Sequence, residues 1–481
     1  MRRGLHGALF GERMITTLLA VTAMLVEGST EITVYNQGLG FVKDIRMVDV
    51  KSGQQNLIVE DVAQLIDATS VGFRCLNNPG SISILEQNYQ YDLISPMAIL
   101  QKSIGKKIRF TRAIGNTREV IEGVLISSPT SVVNTGSGSE YSYNDLVIRA
   151  NDGRIILSPQ GEIDVMEVPE GLISKPSLVW QIDSATAQQA KMELSYLTKG
   201  MSWTANYVLT LGDSGTGDIQ GWVTLNNQSG LTFNDAKLKL LAGDVNVVDD
   251  RDKFADTGVM QKGRAKMTLS LGGGFKEESL FEYHLYTLGR PASVRNKETK
   301  QLSLLEGFDV PFKKVIAFES SAETTEPGQG TDELQSAVKV KFKNDEKSHL
   351  GMPMPAGKVR LYQRDAGGSL QFLGEDQIQH TPRDEKLSLA VGKSFDMKAT
   401  HKQVSFTKTG KRSSVSTYEI EVRNRKKTAE TATIYERIGS QWKITGNSDS
   451  FVKEDANTAV FEVKLKAGEV RKLKFTIDAK W

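Results

Sequence analysis

Strict alternation of apolar and polar residues constrains this chain most, because a period of two fits a strand with one buried and one wet face. Val338, Val340 and Phe342 interleave with Lys339, Lys341 and Lys343. Tyr418, Ile420 and Val422 alternate with Glu419, Glu421 and Arg423, and Leu473, Phe475 and Ile477 with Lys472, Lys474 and Thr476. Trp203, Ala205, Tyr207, Leu209 and Leu211 line one face of a further strand. Helical spacing is nowhere sustained beyond about three turns. The predicted class is mainly β, with multidomain antiparallel β-sandwiches. A chain of 481 residues is long enough for several such modules.

Charge narrows the function. Sixty Lys and Arg stand against 58 Asp and Glu, so no net field recruits nucleic acid or an anionic bilayer. Arg2, Arg3 and Arg13 precede a mostly apolar run from Met14 to Val26, which predicts a signal peptide over residues 1–28 and an exported chain, periplasmic or extracellular. A buried N-terminal helix is the alternative reading of that run. No later segment approaches the roughly 20 apolar residues of a bilayer-spanning helix, so the mature chain is expected to carry no transmembrane segment. Cys75 is the only cysteine, which excludes an intrachain disulfide and leaves stability to core packing.

One segment departs from the two-residue period. Ser95-Pro96 followed by Met97, Ile99, Leu100 and Ile104, then Gly105, has an N-cap, a proline at the first helical position and a glycine stop. About five short strands follow, with Asn151-Asp152-Gly153 as a hairpin turn, an element order similar to an Sm-like small barrel. Its basic residues Lys106, Lys107, Arg109, Arg112 and Arg118 lack interleaved aromatics, so RNA binding is not expected. The predicted division is an N-terminal β segment at 29–94, helix plus small barrel at 95–170, a central sandwich region at 175–400 and an immunoglobulin-like sandwich at 401–481. Long loops are predicted at 249–274 and 320–334, where polar, glycine-rich sequence loses its periodicity.

Several punctuated stretches belong together. Glu193 opens ELSYLTKGMSWTANYVL, Gly221 opens GWVTLNNQSG, and His284 opens HLYTLGRP. Further on come ETKQLSLL from Glu298, GMPMPAGKVRLYQ from Gly351 and HTPRDE from His380. Together they resemble the bacterial "domain of unknown function 4139" family, which is related to the mucoidy-inhibitor-type proteins. TEITVYNQGLGFVKD from Thr30 and LEQNYQYDLIS from Leu85 fit the same pattern. The resemblance implies an exported, β-rich protein and no catalytic residues.

Chemistry is sparse. His380, Asp384 and Glu385 are the closest approach to a metal or catalytic group, with His349, Asp396 and His401 near in sequence. Pro382 disfavours the helix that would put positions four apart on one face, so a turn closed by Thr381 and Asp384 is the expected role. GDSGTG from Gly212 lacks an upstream histidine outside the leader and is expected to be a hairpin turn. Gly272 to Gly274 lack the lysine and the strand-to-helix frame of a phosphate loop. Met352 and Met354, between prolines, either protect a sheet edge or display an adaptable contact surface, edge protection being the expectation. Trp203 and Trp442 are expected in cores. Trp222 alternates with Val223 and Leu225 and shares its face with Thr224 and Asn226; core is the expectation, surface the alternative. No catalytic, cofactor-binding or metal-ligating residue is assigned and no cofactor is expected. The expected function is that of a non-catalytic envelope or secreted protein binding other proteins or polysaccharide. The alternative is a hydrolase of envelope polysaccharide using His380, Asp384 and Glu385.

Overall fold

The computed structural model describes residues 20–22, 24–25, 30–134, 141–247, 269–270, 274–328 and 330–481. The protein is mainly β, in several packed sheets. Among the described residues no helix is long and apolar enough to cross a membrane. The leader lies almost wholly outside the described residues; within it, Ala20–Thr22 pairs in parallel with Gly53–Glu60 and Met24–Leu25 pairs with Leu39–Val50. The loop at 249–274 also falls outside them, apart from Leu269–Ser270 and Gly274.

Among the described residues, apolar side chains gather into three cores. The largest draws on several sheets, two of which supply most of it. One runs through Phe233–Ala242, Glu31–Tyr35, Leu39–Val50, Gln188–Lys199 and Gly72–Cys75. The other is ordered Glu298–Pro311, Thr216–Asn227, Met201–Leu211, Gly357–Arg364 and Leu370–Ile378. Trp203, Ala205, Tyr207 and Leu209 all point into this core, as their alternation predicts. Strand pairs are mostly antiparallel, but Met201–Leu211 runs parallel to Gly357–Arg364 and Glu31–Tyr35 parallel to Phe233–Ala242.

The division at 94 needs correction. Strands before residue 91 are threaded among strands after 177: Leu39–Val50 pairs along its whole length with Gln188–Lys199, and Ser177–Ser184 lies between Gly53–Glu60 and Ile82–Gln90. Ile32, Val34 and Val42 are fully buried beside Trp203 and Tyr207 in one cluster, so the early strands cover a face that would otherwise meet water. The small barrel is an insertion between two strands that pair with each other.

That insertion opens with the helix Pro96–Lys102, whose Ser95 hydroxyl accepts from the Ala98 amide at 3.1 Å. Among the described residues seven strands follow rather than five. Tyr141–Asn144 and Val147–Ala150 are halves of one run bent at Asp145, whose φ is 63°. One half pairs with Gln160–Val165 and the other with Thr117–Ser127, so the sheet curls back on itself around Phe110, Leu125 and Ile148. The hairpin at Asn151-Asp152-Gly153 joins Val147–Ala150 to Ile155–Leu157.

The C-terminal sandwich begins before 401. It takes in Lys313–Ala322, Asp332–Leu334 and Met397–Gly410, and Lys313–Ala322 runs parallel to Glu430–Ile438. The loop predicted at 320–334 is therefore bounded by Ala322 and Asp332. Lys313–Ala322 also pairs with Ser336–Lys343, which in turn pairs with Lys386–Gly392. Ile316 and Phe318 belong to the C-terminal core, whereas Val340, Phe342 and Leu389 belong to the central one. One sheet thus serves two cores, a non-local arrangement that local alternation does not encode.

Candidate functional site

The Gly351–Gly357 edge and the His380–Glu385 turn meet, and Asn344 holds them. Its side-chain amide donates to the carbonyls of Met352 at 2.9 Å and Pro382 at 3.0 Å, and its side-chain oxygen accepts from the Gly351 amide. Its backbone bonds both Asp384 and Glu385. Met354 and Thr381 exchange two backbone hydrogen bonds of 2.8 Å, and the Ala356 amide donates to His380 Nδ1. The Tyr286 hydroxyl donates to Pro353 O at 2.9 Å, which joins the HLYTLGRP stretch to the same junction. Tyr207 donates to Pro355 O at 2.8 Å from the sheet beneath. Burial pushes the Tyr207 phenol well above its ordinary value, so it stays a donor. Met352 and Met354 are 2% and 1% exposed, so they fill the core and display nothing.

Asp384 and Glu385, the carboxylates of the alternative site at His380, are engaged elsewhere. Asp384 sits in the left-handed region at φ 68°, with its carboxylate 3.8 Å from Lys343 and from Arg383. Glu385 takes part through its backbone carbonyl. His349 contacts Phe308 O, Asp396 accepts from the Arg425 amide, and His401 is buried beside Glu436 in the C-terminal core. No group of three or more His, Cys, Asp or Glu among the described residues is placed to hold a metal. Asp345, beside the junction, is held at about 2, chiefly by Lys343 and then Ser348. A depressed carboxyl stabilises the fold above its unfolded value near 4, and that contribution is lost as pH falls toward 2.

His380 has different neighbours from those its sequence position suggests. Partial burial lowers its pKa first; Asp244 opposes this and His284 adds to it. His284 Nδ1 lies 2.7 Å from a carboxylate oxygen of Glu277, which is buried. Glu277 and His284 come from the hairpin of Phe275–Leu280 with Tyr283–Leu288. Two short alternating runs around Phe281-Glu282 were the available signal, and they place Glu277 opposite Tyr286.

Trp222 lies on the outer face of the sheet that carries Trp203, against the expectation of a core position. Val223 and Leu225 take the core side, so strand parity puts Trp222 outside, where it is half-buried. Its cross-strand neighbours are Asn206 and Ser303, and Thr224 and Asn226 share its face. The Asn206 amide donates to the Thr224 hydroxyl at 3.1 Å. Tyr362 lies two strands across and four residues along, roughly 17 Å away at strand spacing and rise, and packs edge to face with Phe372 of the next strand, centroids 5.5 Å apart. Phe372 is 56% exposed. Between them lie Val208, Lys358 and Arg360, with Glu375 bonded to Lys358. This face offers aromatic platforms separated by amide, hydroxyl and charged groups.

No protein-family model matches the chain, and no curated protein matches it.

Proposed function

We propose that this chain is an exported, non-catalytic binding protein of the bacterial envelope or surroundings, in keeping with its resemblance to the domain of unknown function 4139 family. Its ligand is polysaccharide, taken on the outer sheet face around Trp222. The observation that carries this reading is a half-buried tryptophan whose immediate neighbours on the face are Asn206, Thr224, Asn226 and Ser303. An indole presents an apolar face to the C–H side of a sugar ring, and flanking amides and hydroxyls bond its hydroxyls. Phe372 and Tyr362 would engage the same chain some sugars further on. The test is titration of the full chain with a panel of neutral envelope glycans, followed by tryptophan emission. Trp222→Ala is expected to abolish binding and Trp222→Phe to keep part of it. Equal binding by wild type and Trp222→Ala would remove the face from the reading.

A hydrolase of envelope polysaccharide is the second reading, favoured by the Glu277–His284 pair beside His380. A carboxylate that orients an imidazole is a common way to position a general base. Release of reducing ends by the wild type and not by His284→Ala would support it.

A further inference from the structure

We infer that Ile155–Leu157 is a dimerisation edge, which pairs antiparallel with the same strand of a second copy of this chain. It is the last strand of the sheet in the inserted small barrel, with Val147–Ala150 on one side and, among the described residues, no strand on the other. The hydrogen bonds on either side of it fix which backbone groups are spare. The Ala150 amide donates to Arg154 O at 2.9 Å, and the Ser158 amide donates to Leu146 O at 2.8 Å. Bonded and unbonded pairs alternate along an antiparallel ladder, so Ile156 bonds Ile148, while Ile155 and Leu157 turn their N–H and C=O groups toward the open edge. Open edges are normally guarded by charge, proline or a bulge, and the three residues here are Ile, Ile and Leu. Ile155 and Leu157 are 55% and 69% exposed, whereas Ile156 packs against the barrel core. Val147, Val124 and the exposed Ile126 carry the same outer face across two further strands around Arg149, an apolar patch of the kind that marks a protein contact.

The edge is complementary to itself, which is why the occupant is a second copy. About a two-fold axis at Ile156, Ile155 of each copy falls opposite Leu157 of the other, in the pair type that exchanges two hydrogen bonds, and the two apolar patches become continuous. The same register sets Arg154 of one copy opposite Ser158 of the other. The Ser158 hydroxyl accepts from the Asp145 amide at 3.0 Å, so a cation comes beside an acidic residue at each end of the seam. A seam of three residues buries less than the roughly 800 Å² per partner of a standard interface, so the dimer is a weak one.

Sedimentation equilibrium of the full chain over a concentration series is the test, with amide hydrogen exchange read at its dilute and concentrated ends. The wild type is expected to pass from one chain to two with a dissociation constant on the order of 10 μM, and the Ile155 and Leu157 amides to become protected as it does. Ile155→Glu combined with Leu157→Glu sets carboxylate against carboxylate across the seam and should weaken dimerisation about tenfold or more. The melting temperature of the dilute double variant should change little, because both side chains are exposed and Arg149 stands opposite Ile155. Trp222→Ala should dimerise as the wild type does, so the edge is tested apart from the glycan face. The amide readout needs no variant and decides on its own. A single chain at every concentration up to about 1 mM, or equal dimerisation by the double variant, would overturn the assignment. Protection of the two amides in dilute solution would overturn it as well, since the edge would then be covered by its own chain.

Discussion

The two faces of the sheet that carries Met201–Leu211 and Thr216–Asn227 hold the same kinds of residue for opposite purposes. On the inner face Trp203 is fully buried, donates its indole N–H to Leu241 O at 3.2 Å and meets Tyr286 edge on. Tyr207 is fully buried on the same face and bonded to Pro355 O. On the outer face Trp222 is half-buried among amides and hydroxyls. A single residue of parity separates an aromatic that holds the fold from one that reaches the outer face.

Substitutions on each face can break or sharpen that contrast. The largest loss is expected for Trp203→Ala, about 3–5 kcal/mol by denaturant unfolding, from a large buried side chain and its hydrogen bond. A loss below 1 kcal/mol would place Trp203 outside the core. Next comes Gly221→Val at about 2–3 kcal/mol. A Cβ there would lie 2.9 Å from Leu305 and 3.1 Å from the Tyr207 ring, so the inner face has no room for it. Tyr207→Phe keeps the ring and leaves Pro355 O without its donor, for about 1–2 kcal/mol. Trp222→Ala should cost under about 1 kcal/mol while changing glycan binding, and its indole emission should be redder and more easily quenched than that of Trp203. If Trp222→Ala unfolds the protein as readily as Trp203→Ala, the two faces do not differ in the way described.

Alternation made individual strands legible because burial parity is local. Tyr418, Ile420 and Val422 are buried, as are Leu473, Phe475 and Ile477, and the helix from Pro96 starts at its Ser95 cap. Partnership was not legible, because pairing of Leu39–Val50 with Gln188–Lys199, or of Lys313–Ala322 with Glu430–Ile438, depends on contacts more than 100 residues apart. That is why the boundaries at 94 and 401 were misplaced. The junction at Asn344 follows the same rule. Its stretches were recognisable by their glycines and prolines, but the residue that binds them was not, since a buried amide leaves no periodic mark. Trp222 was a different kind of miss. Its neighbours Val223 and Leu225 fix its face, and strand parity overrides the general tendency of tryptophan toward burial.

The sheet that serves two cores also limits how this protein can be inherited. Most sandwich modules can be cut out and joined to other chains at a linker. Here the last sandwich borrows Lys313–Ala322 from a run that continues through Ser336–Lys343 into the central core. Neither half can be exchanged as a cassette without tearing a strand from the other.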